Sequence, residues 1–195
     1  MSESDVHLTG NTIISNTTGS MFGYGGGVCV ESSVPVTLSN NLIIQNHASS
    51  QGGGVSVIRS GSPGSRALLV NNTIADNGVT GVVAPQNATV TLQNNIIAGH
   101  GSGLSQGNSI DVVITADTNL FWNISEPIVG INAILLEPRL WSNYRLRDGS
   151  PALDQGLNIS WLTTDIEGRA RPWNEYDLGA YEGVWWGVFL PLIRR

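Results

Sequence analysis

A chain of 195 residues with 41% apolar and 12% charged side chains has material for one core but about half the usual share of charge. All 9 basic residues are Arg, the formal net charge is −6 and no basic cluster precedes the extreme C-terminus, which argues against nucleic-acid binding. One cysteine, Cys29, excludes an internal disulfide framework and a Cys-based zinc motif, while 24 glycines suit an all-β chain rich in bends.

The first eight residues, Met-Ser-Glu-Ser-Asp-Val-His-Leu, have no basic region followed by an apolar stretch, so they encode no signal peptide. Val6 and Leu8 already stand in the register of a repeat, and nothing before them could cap the end of a solenoid. The expectation is the C-terminal part of a longer exported protein, or a truncated gene product.

The repeat is a phrase built on asparagine. Gly-Asn-Thr-Ile-Ile at 10–14 returns as Asn-Asn-Leu-Ile-Ile at 40–44, Asn-Asn-Thr-Ile-Ala at 71–75, Asn-Asn-Ile-Ile-Ala at 94–98 and, more weakly, Thr-Asn-Leu-Phe-Trp at 118–122. Anchored on Asn11, Asn41, Asn72, Asn95 and Asn119, the steps are 30, 31, 23 and 24 residues, the range of one supersecondary unit in a solenoid.

Five residues before the anchors stand Val6, Val36, Ala67, Val90 and Ile114; three before stand Leu8, Leu38, Leu69, Leu92 and Ala116. That period of two is a strand. Two after the anchors, Ile13, Ile43, Ile74, Ile97 and Phe121 open a second short strand. Asn tolerates a left-handed backbone and bonds nearby main chain, so the anchor reads as the corner between the two. Glycine clusters at 25–27, 52–54 and 81 then lead into a third apolar alternation.

Three short strands cannot bury their own apolar residues. Coiling each unit over its neighbour pairs the strands and stacks Ile on Ile, Val on Val and Asn on Asn, which is a parallel β-helix. Stacked asparagines can then bond from coil to coil as amide ladders. The first two coils carry extra residues, before the glycines and at 59–66, read as projecting loops where a solenoid places contacts; His47, Gln51, Arg59 and Arg66 are the candidate ligand residues there. Cys29 shares the column of Ser56 and has no basic neighbour to activate it. Sequons at Asn16, Asn71, Asn87, Asn123 and Asn158 follow from Asn-rich corners, and Asn71 would lie inside the stack.

From about residue 126 the repeat gives way to Ser-Pro-Ala-Leu-Asp-Gln-Gly at 150–156, Thr-Asp-Ile-Glu-Gly-Arg-Ala-Arg-Pro at 164–172 and Asp-Leu-Gly-Ala-Tyr-Glu at 177–182. These segments, in this order over roughly 144–182, resemble the C-terminal module of bacterial choice-of-anchor Q domain proteins. The asparagine repeats are likewise similar to the right-handed β-helix repeats that precede that module. The resemblance implies a surface or secreted protein with an attachment tail, and no established reaction. The tail at 183–195 is apolar and then basic; eleven apolar residues would span about 16 Å as a helix, too little to cross a membrane. It resembles short sorting tails of exported proteins, or packs on the fold through Trp185 and Trp186.

Chemistry on this kind of stack needs carboxylates on adjacent coils of one face. Asp5, Glu31, Asp76, Asp111 and Asp117 share no column, and neither do His7, His47 and His100, each expected in a loop or at the surface. In the C-terminal module Asp154, Asp165 and Asp177 are candidate Ca2+ ligands, with a structural role beside Arg169, Arg171 and turn amides preferred. The expectation is a right-handed parallel β-helix of the pectate-lyase-like kind: four to five coils over 1–125, an irregular cap over 126–182 and a tail over 183–195. It is expected to be monomeric, with no resident cofactor, and to serve at the cell surface or outside the cell as a non-catalytic stalk or adhesin-type segment. Its partner would be a polysaccharide or cell-envelope component. The alternatives are the end of a polysaccharide lyase or glycoside hydrolase whose site lies upstream, and a carbohydrate-binding module.

Overall fold

The computed structural model describes residues 5–19, 23–59, 61, 64–107, 111–125, 130–172 and 176–183. Among them are sixteen strands and no helix, hence none long and apolar enough to cross a membrane. The first coil holds β1 (Val6–Thr9), β2 (Thr12–Ile14), β3 (Thr17–Thr18) and β4 (Val28–Val30). The second holds β5 (Val36–Ser39), β6 (Leu42–Ile44), β7 (His47–Ala48) and β8 (Val55–Val57). The third holds β9 (Ser65–Val70), β10 (Thr73–Ala75) and β11 (Thr80–Ala84), the fourth β12 (Ala88–Gln93), β13 (Ile96–Ala98) and β14 (Ser102–Gln106). A half coil of β15 (Val112–Asp117) and β16 (Leu120–Trp122) follows.

Each strand pairs, in parallel, with its equivalent one coil on, giving sheets β1-β5-β9-β12-β15, β2-β6-β10-β13-β16 and β4-β8-β11-β14. Ile13, Ile43, Ile74, Ile97 and Phe121 are register partners in one file. From Ile43 onward that file is buried, and it packs with Leu38, Leu69, Leu92, Val55 and Val82 inside the coils. The architecture is the parallel β-helix that the repeat demands.

The corner differs in one detail. The left-handed residue is the one before each anchor, Gly10, Asn40, Asn71, Asn94 and Thr118, with φ between 52° and 68°. The anchor's side chain then points along the stack. Asn41 Nδ2 donates to Asn72 Oδ1 at 2.9 Å, Asn72 to Asn95 at 3.0 Å and Asn95 to Asn119 at 2.9 Å, with Asn11 donating to Asn41 at 3.1 Å. Each acceptor oxygen also takes the backbone N–H of the preceding anchor. Burial of the ladder amides is thus matched bond for bond.

A second ladder runs five residues further on, through Asn16, Asn46 and Asn77 to His100. Beside it the last glycine of each cluster forms a file of its own. A Cβ on Gly27 would lie 2.7 Å from the Gly54 carbonyl oxygen and one on Gly81 2.8 Å from that of Gly103, so these positions admit no side chain. The extra residues before the glycines of the first two coils match one another rather than projecting freely. β3 pairs with β7, and Tyr24 bridges Gln51.

The middle sheet is apolar on both faces. Ile43, Ile74, Ile97 and Phe121 point inward, while Leu42, Ile44, Ala75, Ile96, Ala98 and Leu120 form a separate buried cluster outside. A sheet buried on both sides reads as a continuous apolar run and needs a cover. The irregular C-terminal segment supplies it. Residues 131 and 134 bridge the half coil at its end, as a cap would, through Ile131 with Asp117 and Ile134 with Leu120. The remainder lies along the flank, where Ala152, Leu178, Leu140, Leu146 and Ile166 pack on the outer cluster. Part of the expected cap is therefore a lateral cover, because the larger unmet apolar surface is on the side of the stack. The tail expectation falls, beyond Gly183, outside the described residues.

Candidate functional site

Two of the three candidate ligands in the C-terminal segment, Asp165 and Asp177, are occupied with main chain. Asp165 Oδ1 accepts the N–H groups of Glu167 and Arg169, both at 2.8 Å, and its Oδ2 accepts that of Glu182 at 3.0 Å. Asp177 Oδ1 accepts Asp154 N–H at 2.7 Å and Oδ2 accepts Gly183 N–H. The Asp154 side chain is exposed. Among the described residues no three acidic, His or Cys side chains converge as a metal site would require.

Arg171 is the centre of this cluster. Its buried guanidinium pairs with Glu182, and Nη2 donates to Asn40 Oδ1 at 2.8 Å and to the Gly179 carbonyl at 2.9 Å. Burial pushes the Glu182 carboxyl up to about 7 against the opposing pull of Arg171, and raises Asp177 as well. The left-handed asparagines supply the other half of the joint. Asn40 Nδ2 donates to Thr164 O at 2.6 Å, Asn71 Nδ2 to Asp177 O at 2.8 Å and Asn94 Nδ2 to Leu157 O at 2.7 Å. Arg169 and Arg145 both pair with Glu167 nearer the surface.

His100 is buried, contrary to the expectation of a loop or surface residue. It takes the place of an asparagine in the second ladder: Nδ1 accepts the Asn77 N–H at 3.3 Å and Nε2 donates to the Ile74 carbonyl at 3.1 Å. Burial pulls its pKa below the usual imidazole value. His47, Gln51, Arg59 and Arg66 are exposed, the first two in the paired strip of coils one and two, Arg66 on β9. Cys29 is register partner to Ser56, and burial, with Glu31 adding to it, pushes its thiol up, away from reactivity.

The structure also holds a hollow that the repeat pattern did not indicate. A cleft of about 340 Å³ lies between the outer face of the middle sheet and the segment at 137–144. Its floor is Ala75, Ala98 and Gly99, and its walls include Trp122, Trp141, Tyr144, Asp76, Glu137 and Arg139. The floor follows from one column, Ile14, Ile44, Ala75, Ala98 and Trp122, in which two alanines open the space and a tryptophan closes it. Asp76 is held in place: Tyr144 Oη donates to its Oδ2 at 2.8 Å and itself accepts from Gln45 Nε2 at 3.2 Å. Burial and this bond hold the Tyr144 phenol above its ordinary pKa. Gly99, at φ 73°, leaves room for the Asp76 carboxylate, which a side chain there would strike. Arg147 stacks on the Trp141 ring at 4.6 Å. The signal in the sequence was the doubly apolar run at 120–122 and the Trp that ends it.

Comparison with known proteins matches residues 1–123 to the family described as the right handed beta helix region. No curated protein and no solved structure matches the chain.

Proposed function

The chain belongs to the right-handed β-helix family, and from that premise we propose that it is a non-catalytic segment of a secreted or cell-surface protein, a rigid stalk that presents a contact surface on its flank. The observation that carries this reading is how the buried polar groups are spent. Ladder amides bond amides, Asp165, Asp177 and Glu182 each bond main-chain N–H groups within the C-terminal segment, and Asn40, Asn71, Asn94 and Arg171 fix that segment to the coils. Such a joint gives stiffness, the property a presenting scaffold needs.

The likeness of 144–182 to choice-of-anchor Q modules supports the extracellular setting and a division into coils at 1–125, module at 126–182 and tail at 183–195. A polysaccharide or another envelope component is the partner this reading favours, met by a single copy of the chain. The test is incubation of the chain with polygalacturonate, alginate and neutral glucans, together with surface labelling of cells that express the native gene. The reading expects no new reducing or unsaturated ends and label at the cell surface or in the medium. Steady release of unsaturated ends would replace it with a lyase.

A further inference from the structure

We propose that the flank cleft walled by Trp122 and Trp141 binds a neutral, pyranose-containing oligosaccharide. This rests on the scaffold reading and names the ligand class of its contact surface. Trp122 and Trp141 leave 42% and 55% of their surface in water on one hollow, although Leu42, Ile44, Ala75, Ile96, Ala98 and Leu120 on the outer face of that sheet are covered. Large rings with an apolar face and a polar edge are the side chains that carry binding energy at contact surfaces. A flat sugar ring offers them the matching C–H face.

The polar lining selects the class. Asp76 and Glu137 are negative and Arg139 positive, so acceptors and donors of both signs meet in one cleft. An isolated cation would be opposed by Arg139 and the neighbouring Arg147, and an anion by the two carboxylates. A hydroxyl group donates and accepts at once and is served by both. Several of these groups are pre-positioned: Asp76 by Tyr144, Arg139 by its bond to the Gly149 carbonyl at 3.1 Å, and Trp141 by Arg147. Fixed groups lose less freedom when a ligand arrives. Charged side chains around the floor also exclude an acyl chain.

The length of the site points to an oligomer. A second hollow of about 620 Å³ shares Gly99, Trp122 and Asn123 with the first. Trp122 thus stands between two spaces, each within or near the volume range of small-molecule sites.

The experiment is isothermal titration of the chain with neutral hexasaccharides of β-1,4-glucose, α-1,4-glucose, β-1,4-mannose, β-1,4-xylose and N-acetylglucosamine. Hexagalacturonate and spermidine serve as the charged probes. At least one neutral hexasaccharide is expected to bind, with Trp122→Ala and Trp141→Ala each weakening it about tenfold or more. Trp141→Phe should retain part of the affinity and Asp76→Asn lose some. Trp161→Ala, which removes a ring 53% exposed elsewhere on the surface, should change nothing. Circular dichroism of each variant separates lost binding from lost fold, and both rings are exposed enough for truncation to be tolerated. Failure of every neutral sugar, preference for a charged probe, or full affinity in both Trp→Ala variants overturns the proposal. None of these results touches the scaffold reading, whereas sugar cleavage would overturn the scaffold reading and leave saccharide binding intact.

Discussion

Arg171 Nη2 donates to Asn40 Oδ1 at 2.8 Å across 131 residues of sequence, and that bond joins the C-terminal segment to the second coil. Asn40 sits in the left-handed corner, where its side chain points out of the stack, and Arg171 reaches it from a fully buried position beside Glu182. Removing one member of a buried pair strands the other's charge. Arg171→Met should therefore cost about 3–5 kcal/mol in urea unfolding, and Arg171→Met with Glu182→Leu should recover much of it. Equal losses in the single and double variants would show that the pair itself, rather than a stranded carboxylate, carries the stability.

Glu182 makes the same joint sensitive to pH. Its folded pKa of about 7 lies above the ordinary 4.5, so the folded chain holds its proton more tightly than the unfolded chain does. Its contribution to stability is complete below about 4.5 and is lost as pH rises through about 7, and Asp177, also raised by burial, acts in the same direction. The share of the urea midpoint that Glu182 supplies, read as the difference between the parent and Glu182→Gln, should fall as pH rises between these limits. A constant difference would assign the pH dependence to other groups.

His100 should act with the opposite sign. Burial lowers its pKa, so it contributes stability above the ordinary imidazole value, and that contribution disappears as pH falls through the lowered one. His100→Asn would continue the ladder of Asn46 and Asn77, offering a carbonyl to the Asn77 N–H and an amide to the Ile74 carbonyl. The variant should unfold at a similar urea concentration at neutral pH and lose less stability than the parent on acidification. A large loss at neutral pH would mean that the imidazole's shape, which Gly81 contacts, matters more than its bonds.

In the first ladder, position should decide cost. Asn72 accepts from the N–H and Nδ2 of Asn41 and donates to Asn95 Oδ1 and the Leu38 carbonyl, all buried or nearly so. Asn72→Ala leaves several of these groups unmatched and should cost about 3 kcal/mol or more, at roughly 1–3 kcal/mol per stranded group. Asn11→Ala, at the end of the file, should cost about 1 kcal/mol. Equal costs in urea unfolding would contradict a ladder whose bonds pass from coil to coil.

Much of this was legible because it repeats. Five copies of one phrase fixed the strands, the inward file from Ile13 to Phe121 and the ladder from Asn11 to Asn119. The left-handed place was misassigned by one residue because Asn-Asn pairs offer two candidates, and only Gly10 and Thr118 in the outer copies tell them apart. The second ladder was spelled by Asn16, Asn46 and Asn77, but His100 broke the spelling while keeping the bonds. The flank joint was legible inside the segment, in Asp165 and Asp177 beside Arg171 and turn amides, and the cleft only in the Trp that ends 120–122. Not legible was how they close, with Arg171 reaching Asn40 across 131 residues and Tyr144 reaching Asp76 across 68, along a segment whose path follows no period.

Register is the claim on which the rest stands, and a pair of cysteines tests it directly. Thr91 and Thr115 are partners on adjacent parallel strands, where Cα atoms about 4.8 Å apart fall within disulfide range. Thr91 and Val113 lie two residues out of step, about 8 Å apart and beyond it. With Cys29→Ser as background, Thr91→Cys with Thr115→Cys should close an intramolecular disulfide under mild oxidation, while Thr91→Cys with Val113→Cys should stay reduced. The reverse outcome, or closure of neither pair in folded protein, would contradict the stacked coils.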